Sequence, residues 1–242
     1  MTDHKNRDDL SRFLVHLSRK YEGDSARKNL ISILKSRRIE ARNSHCLFQP
    51  KIQNIGFSSK LKQQFNAVCF TEAPLNQLRH LVREIPGRQI QLRPYGLVFW
   101  KQDLLEDGAN PALYINAQTG GLRGFLLHEF NRHFENLKLY RSFRRKYGAE
   151  ADSIIHYYSL VNIISRRVDF SWEREWRFKG HLDFHFNQLV AIILPDPDKH
   201  RSKFLNEFSS TRRRTIEKIP LISPEWSYEQ LVEELTHRLW GN

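Results

Sequence analysis

Two carboxylates stand two residues apart, among aromatic and cationic side chains, in the segment Ser171-Trp172-Glu173-Arg174-Glu175-Trp176-Arg177-Phe178. Read as a strand, this segment alternates its side chains between faces, so Ser171, Glu173, Glu175 and Arg177 share one face and Trp172, Arg174, Trp176 and Phe178 the other. The aromatic face anchors the strand in a core, and the opposite face presents Glu173 beside Glu175. A carboxylate pair suits chemistry at a sugar carbon, where one group holds a hydroxyl and the developing oxocarbenium charge needs a nearby anion. The same residues also fit a purely structural use, in which the carboxylates of an edge strand pair with its own Arg174 and Arg177.

Other reactive-looking residues point to less. His128-Glu129-Phe130-Asn131-Arg132-His133 resembles a helical zinc motif, but its second His comes five positions after the first where such a site needs four. At about 100° per residue the two imidazoles stand roughly 140° apart around a helix and do not share an ion. They read as surface or RNA-facing residues, and no metal is expected. Cys46 and Cys69, the only 2 cysteines, are too few for a disulfide framework or a cysteine-rich zinc site and read as reduced, partly buried thiols. There is no phosphate-cradling Gly-x4-Gly-Lys-Ser/Thr loop, no Gly-x-Gly-x-x-Gly after a strand and no Gly-x-Ser-x-Gly elbow, so kinase, ATPase, dehydrogenase and serine hydrolase readings lose their usual support.

The chain carries 39 Lys and Arg against 27 Asp and Glu, a formal charge of +12. Such an excess favours a polyanionic partner, because each cation that neutralises a phosphate releases condensed counterions. The charge is clustered at Lys35-Ser36-Arg37-Arg38, at Arg141, Arg144, Arg145 and Lys146, at Arg166-Arg167, and at Arg212-Arg213-Arg214. Nucleic acid, RNA or DNA, is the leading candidate, with Arg141, Arg144, Arg145, Lys146, Arg212, Arg213 and Arg214 as its contacts. The longest apolar runs, such as Leu189–Leu194, fall far short of a bilayer span, and the polar N-terminus lacks a secretory h-region. A cytoplasmic protein with no membrane partner is expected.

The elements that must position these groups are readable in outline. Residues Phe13–Ser18 form a short strand or the end of a first helix. Asp24 or Ser25 then caps a helix with Ala26, Leu30, Ile33 and Leu34 at helical spacing. Ala67–Thr71 reads as a buried strand, after which Pro74 opens a helix. Strands follow at Tyr95–Trp100 and Ala112–Ile115, then a helical stretch over Gly121–Tyr147 and a second helix over Ala151–Ser165. Strands return at Ser171–Phe178 and Leu189–Leu194, followed by a basic helix, a short strand near Ile219–Ile222 and a C-terminal helix over Pro224–Leu239. Helices and strands mix without strict alternation, which is an α+β pattern. With no internal repeat and no linker, we expect a mobile segment over residues 1–12 and one domain over 13–242, with a helical insertion at about 121–165.

Three separated pieces carry a resemblance. Val68-Cys69-Phe70-Thr71-Glu72-Ala73-Pro74-Leu75, then Tyr95-Gly96-Leu97-Val98-Phe99 with Gly108-Ala109-Asn110-Pro111-Ala112-Leu113-Tyr114, and finally Glu173-Arg174-Glu175-Trp176-Arg177, resemble the AbiGi-type abortive-infection proteins of bacterial phage defence. That family is often described as antitoxins. The order of the pieces also resembles, more distantly, the DarT-type ADP-ribosyltransferases that modify nucleic acid. The second resemblance implies a split, curved β-sheet core with flanking helices and NAD as a substrate held in a cleft of that sheet. It makes Glu175 the catalytic carboxylate that polarises the ribose, and Glu173 the group that orients or deprotonates the acceptor. It places His16, Ser18, Phe70 and Thr71 around NAD. The usual Gly after the first-strand His and a clear middle-strand Tyr are lacking. Arg174 or Arg177 either pairs with the diphosphate or braces the carboxylates. What is implied is an ADP-ribosyltransferase toxin acting on nucleic acid, RNA ahead of DNA, held in check by an antitoxin protein. The competing readings are a non-enzymatic antitoxin or nucleic-acid-binding module, and a metal-dependent nuclease.

Overall fold

The computed structural model describes residues 10–42, 46–84, 91–118, 121–165, 169 and 171–240. In chain order the first elements are β1 (Phe13–Arg19), α1 (Ala26–Ser36), β2 (Arg38–Ile39), α2 (Gln49–Asn54), α3 (Ser59–Gln63), β3 (Ala67–Thr71) and α4 (Leu78–Val82). Next come β4 (Leu92–Trp100), α5 (Lys101–Glu106), β5 (Asn110–Pro111), β6 (Leu113–Asn116), α6 (Leu122–Phe134), α7 (Leu137–Tyr147), α8 (Ala151–Leu160) and β7 (Val161–Ile164). The chain ends with β8 (Glu175–Lys179), β9 (Leu182–Asp183), β10 (Leu189–Ile193), α9 (Pro197–Leu205), α10 (Ser210–Ile216), β11 (Leu221–Ile222) and α11 (Tyr228–Trp240). The protein is a mixed α+β structure with a central, mostly antiparallel sheet and flanking helices. Its residues fall into two compact units, one of Met1–Ile39, Phe70–Asp107 and Asp183–Asn242, the other of Glu40–Cys69 and Gly108–Leu182. The first nine residues of the expected mobile segment 1–12 lie outside the described residues, as do Arg166 and Arg167. Among the described residues no helix is long and apolar enough to cross a membrane.

In the first unit the strand order is β11-β10-β4-β1-β3, antiparallel except for the β10–β11 pair. The register Val15↔Val98 and His16↔Leu97 fixes which residues share a face. On one face Val15, Leu17, Val98, Ala191 and Ile193 form a core with Leu78 and Leu81 of α4 and Leu231 of α11. On the other, Phe99 meets the rings of Phe70 and Phe184 edge-on. Gly96 is required where β4 crosses β1, since a Cβ there would lie 2.4 Å from the His16 carbonyl oxygen. The α1 helix forms as its sequence suggests: the Ser25 hydroxyl accepts from the Lys28 amide, and Leu30 and Leu34 are fully buried. Ile31 is buried beside them, whereas the anticipated Ile33 is only partly covered.

In the second unit β8 pairs antiparallel with β5 in the register Asn110↔Arg177 and Pro111↔Trp176. The strands β6 and β7 run parallel, Leu113↔Val161 through Asn116↔Ile164, and the chain between them is the three-helix crossover α6–α7–α8. A parallel pair needs such a long connection. Its helices bury an aromatic core in which Phe130 stacks on Phe48 with ring centroids 4.8 Å apart and meets Tyr158 edge-on at 5.3 Å. The helix expected over Ala151–Ser165 stops at Leu160, because Val161 turns extended and Val161–Ile164 pairs as a strand instead. β-branched residues in that run favour the strand. The helical stretch Gly121–Tyr147 is two helices, broken at Asn136, whose side chain accepts from the Leu139 amide as the cap of α7.

Candidate functional site

The strand expected over Ser171–Phe178 begins only at Glu175. Asp169 accepts from both the Ser171 amide, at 3.0 Å, and the Ser171 hydroxyl, at 2.6 Å. These bonds hold the Asp169 carboxyl below its usual range. They start a short 3-10 turn over Ser171–Glu173, and Arg174 then takes a left-handed backbone with φ of 47°. The side-chain alternation therefore does not extend back through this turn: Ser171 and Glu173 are not on the strand face of Glu175 and Arg177, and Trp172 is 45% exposed instead of anchoring a core. Short polar side chains that bond their own backbone compete with strand pairing, and here Asp169 wins.

What remains of the motif is a buried ion pair. Glu175 and Arg177 share a face of β8, two residues apart, with side chains 14% and 2% exposed. Arg177 Nε donates to Glu175 Oε1 at 3.1 Å and Nη2 to Oε2 at 2.9 Å, a bidentate fork. Its Nη1 donates to the Ser159 carbonyl, one of the orphan acceptors in the last turn of α8. Arg177 thus braces the carboxylate and closes a helix end.

Three more donors converge on Glu175. Tyr114 Oη donates to Oε2 at 3.3 Å and Asn162 Nδ2 to the same oxygen at 3.4 Å. The β6–β7 register makes this possible, since Tyr114 and Asn162 are direct cross-strand partners and point the same way. The Cys69 thiol also hydrogen-bonds the carboxylate. Burial alone would push the Glu175 carboxyl up, but the Arg177 charge and the hydrogen bonds from Arg177, Cys69 and Asn162 outweigh it and hold the group below its ordinary value. Burial, followed by the charge of Glu175, holds the Tyr114 phenol well above its usual value, and Glu173 acts on it in the same direction. Glu173 is therefore within electrostatic reach of the site despite its place in the turn. Burial also pushes the Cys46 thiol up, opposed by the charge of Arg177.

Tyr114, Asn162, Cys69 and Ser159 were given no role by sequence reasoning. Tyr114 closes the Gly108–Tyr114 piece that contributed to the resemblance, a signal that was present but carried no partner. Asn162 had none, because nothing local announces a parallel pairing across three helices.

The first-unit residues stand as follows. His16 lies on β1 with its ring edge-on to Phe70, centroids 5.9 Å apart. Phe70 is 3% exposed, with both His16 and Phe99 against its ring, so it is a core residue in this state. Thr71 Oγ1 accepts from the Ala73 amide at 3.1 Å and turns the chain out of β3. Ser18, 3% exposed, has an Oγ with no hydrogen-bond partner among the described residues. Next to Thr71, Glu72 pairs with Lys101 at 2.7 Å.

The basic runs divide. Arg144 pairs with Asp152 at 2.5 Å, and Arg213 pairs with Glu217 at 2.7 Å and Asn206 at 2.8 Å. Arg141, Arg145, Lys146 and Arg214 are exposed, and Arg212 is partly covered. His128 is exposed, whereas His133 packs among Phe134, Phe143 and Tyr147. Among the described residues no group of three or more His, Cys, Asp and Glu is arranged to hold a metal ion.

The molecule thus belongs to the α+β proteins built on a mostly antiparallel sheet, with one densely hydrogen-bonded carboxylate on β8. Comparison with protein-family models, with curated proteins and with solved structures gives no match.

Proposed function

We propose that this chain transfers ADP-ribose from NAD to nucleic acid, with Glu175 as the carboxylate that takes a ribose hydroxyl. The bond from the anomeric carbon to the nicotinamide nitrogen breaks with its electron pair going to nicotinamide. An acceptor heteroatom then bonds that carbon and gives up its proton, with Glu173 as the base. The observation that supports this reading is Glu175 itself, a carboxylate held in place by the Arg177 fork, whose Oε2 takes its two further contacts, from Tyr114 and Asn162, at the long distances of 3.3 and 3.4 Å. A ribose hydroxyl donating at about 2.7 Å would outcompete such long contacts. A fixed anion beside the anomeric carbon stabilises the charge that develops there. The split, curved sheet of an ADP-ribosyltransferase, the toxin or phage-defence setting, the cytoplasmic location and a silencing antitoxin all belong to the same proposal.

One observation favours a second reading. Both oxygens of Glu175 are bonded to Arg177, which also closes the end of α8. In that light the pair is structural and the chain is a non-enzymatic antitoxin or nucleic-acid binder.

The two readings separate when the purified protein is incubated with labelled NAD and separate pools of RNA, single-stranded DNA, duplex DNA and protein. Label is expected in RNA. Glu175→Gln alone would strand a buried guanidinium, so the matched variant is Glu175→Gln/Arg177→Gln, which removes both charges together. It is expected to keep a cooperative melt and lose transfer. A wild-type protein that labels no pool supports the second reading, and a double variant that transfers like wild type removes Glu175 from the chemistry.

A further inference from the structure

We infer that one face of α7, made by Lys138, Arg141 and Arg145, is the surface that holds the phosphate backbone of single-stranded RNA. The inference rests on the nucleic-acid part of the reading above and gives it a place on the molecule.

On a helix of 100° per residue, Arg141, Arg145 and Lys138 fall within about 60° of arc, with neighbours at i,i+3 and i,i+4. All three are exposed, and none makes an ion pair or hydrogen bond among the described residues. The opposite face is committed to the core through Tyr140 and Phe143. Several other cations are neutralised within the chain: Arg38 is forked by Asp183, Arg213 is held by Glu217 and Asn206, and Arg144 of this same helix turns aside to Asp152.

A solvated helix end does not account for this stripe. Cations in the last turn favour the negative end of a helix dipole, which explains Arg144, Arg145 and Lys146. Lys138 lies in the first turn, directly after the Asn136 cap and Leu137, where the dipole disfavours a cation. Three like charges at helical contact spacing also repel one another. A polyanion laid along the face removes both penalties. The single strand is chosen over a duplex because the same unit leaves the rings of Phe125, Tyr157 and Trp172 exposed at 60%, 42% and 45%. Exposed rings serve unpaired bases, whereas a duplex has already stacked its own.

The test uses the full chain, a fluorescent RNA of about 20 nucleotides without secondary structure, and binding titrations between about 50 and 200 mM salt. Single-strand binding contributes about 0.7 to the salt slope per phosphate neutralised, so Lys138→Gln/Arg141→Gln/Arg145→Gln should lower the slope by about 2 and weaken low-salt binding by about tenfold or more. Because the three positions are exposed, the variant should keep the wild-type circular dichroism. An unchanged slope overturns the surface. So does equal affinity for an RNA duplex of the same length. No NAD enters this titration, and transfer is read separately in the labelled-NAD experiment above: RNA bound through α7 with no transfer there retires the transfer reading and keeps the surface, while transfer there with an unchanged slope here does the reverse.

Discussion

Arg177→Met is expected to destabilise the protein by about 3–5 kcal/mol, because it leaves the Glu175 carboxylate buried without its counter-charge. The loss is large since Arg177 is 2% exposed and its three donor groups serve Glu175 and the Ser159 carbonyl. Urea denaturation of wild type, Arg177→Met, Glu175→Leu and the double variant Glu175→Leu/Arg177→Met closes a thermodynamic cycle. The double variant should recover much of the loss, as replacing a whole buried pair by apolar groups is often close to neutral. A cost for Arg177→Met within about 0.5 kcal/mol, the range of an ordinary surface change, would show that the pair does not hold the unit together.

Acid gives the same prediction a second readout. In the folded wild type the Glu175 carboxyl sits below its ordinary value, so the unfolded chain takes up the proton first as pH falls. The stabilisation is complete above the unfolded value of about 4.3 and is lost as pH drops through the lower folded value. Without Arg177, burial dominates and the sign reverses, because the folded chain then prefers the protonated acid. The stability gap between Arg177→Met and wild type should therefore narrow on acidification, first as the variant gains stability while pH falls towards about 4.3 and then as the wild type loses it below that value.

Phe130→Ala carries a comparable expected cost of about 3–5 kcal/mol. Its ring is fully buried and in contact with Phe48, Phe65, Phe134 and Tyr158, so its removal takes a shared partner from four other rings and leaves a cavity at the centre of the second unit. The internal control is on the same helix: Phe125, 60% exposed, should tolerate Ala within about 0.5 kcal/mol. Thermal melts of the two variants make the comparison. Equal costs would mean that the α6 face has been assigned wrongly.

How far such features were legible in the sequence depended on how locally they were encoded. Ser25 with Leu30 and Leu34 announced α1, and the apolar run Leu189–Leu194 announced β10, because capping and periodicity are carried by a few neighbouring residues. Ser171–Glu173 misled: its strand-like alternation was real, but the carboxylate of Asp169 captures the Ser171 backbone and turns the chain, and that competition is decided by hydrogen-bond geometry that a pattern does not contain. The end of α8 misled for a related reason, since Val161–Ile164 continues an apolar helical rhythm and becomes a strand only because β6 is there to pair with it. The importance of Glu175 and Arg177 could be read from the motif, as could their mutual pairing as one of two options. Tyr114 and Asn162 could not be read as their partners, because the register that aligns them is a tertiary fact.

That register also sets an order of events. Tyr114 and Asn162 reach Glu175 only through a parallel pairing that the whole crossover α6–α7–α8 must first bridge. Long-range parallel contacts bear their loop-closure entropy before they are rewarded, so they form late. The carboxylate is thus expected to be completed near the end of folding, after the aromatic core of the second unit, so that a chain still emerging or incompletely packed has no such site. In pulse-labelled hydrogen exchange, the amides of β7 should gain protection with or after those of α6 and α8, and never before.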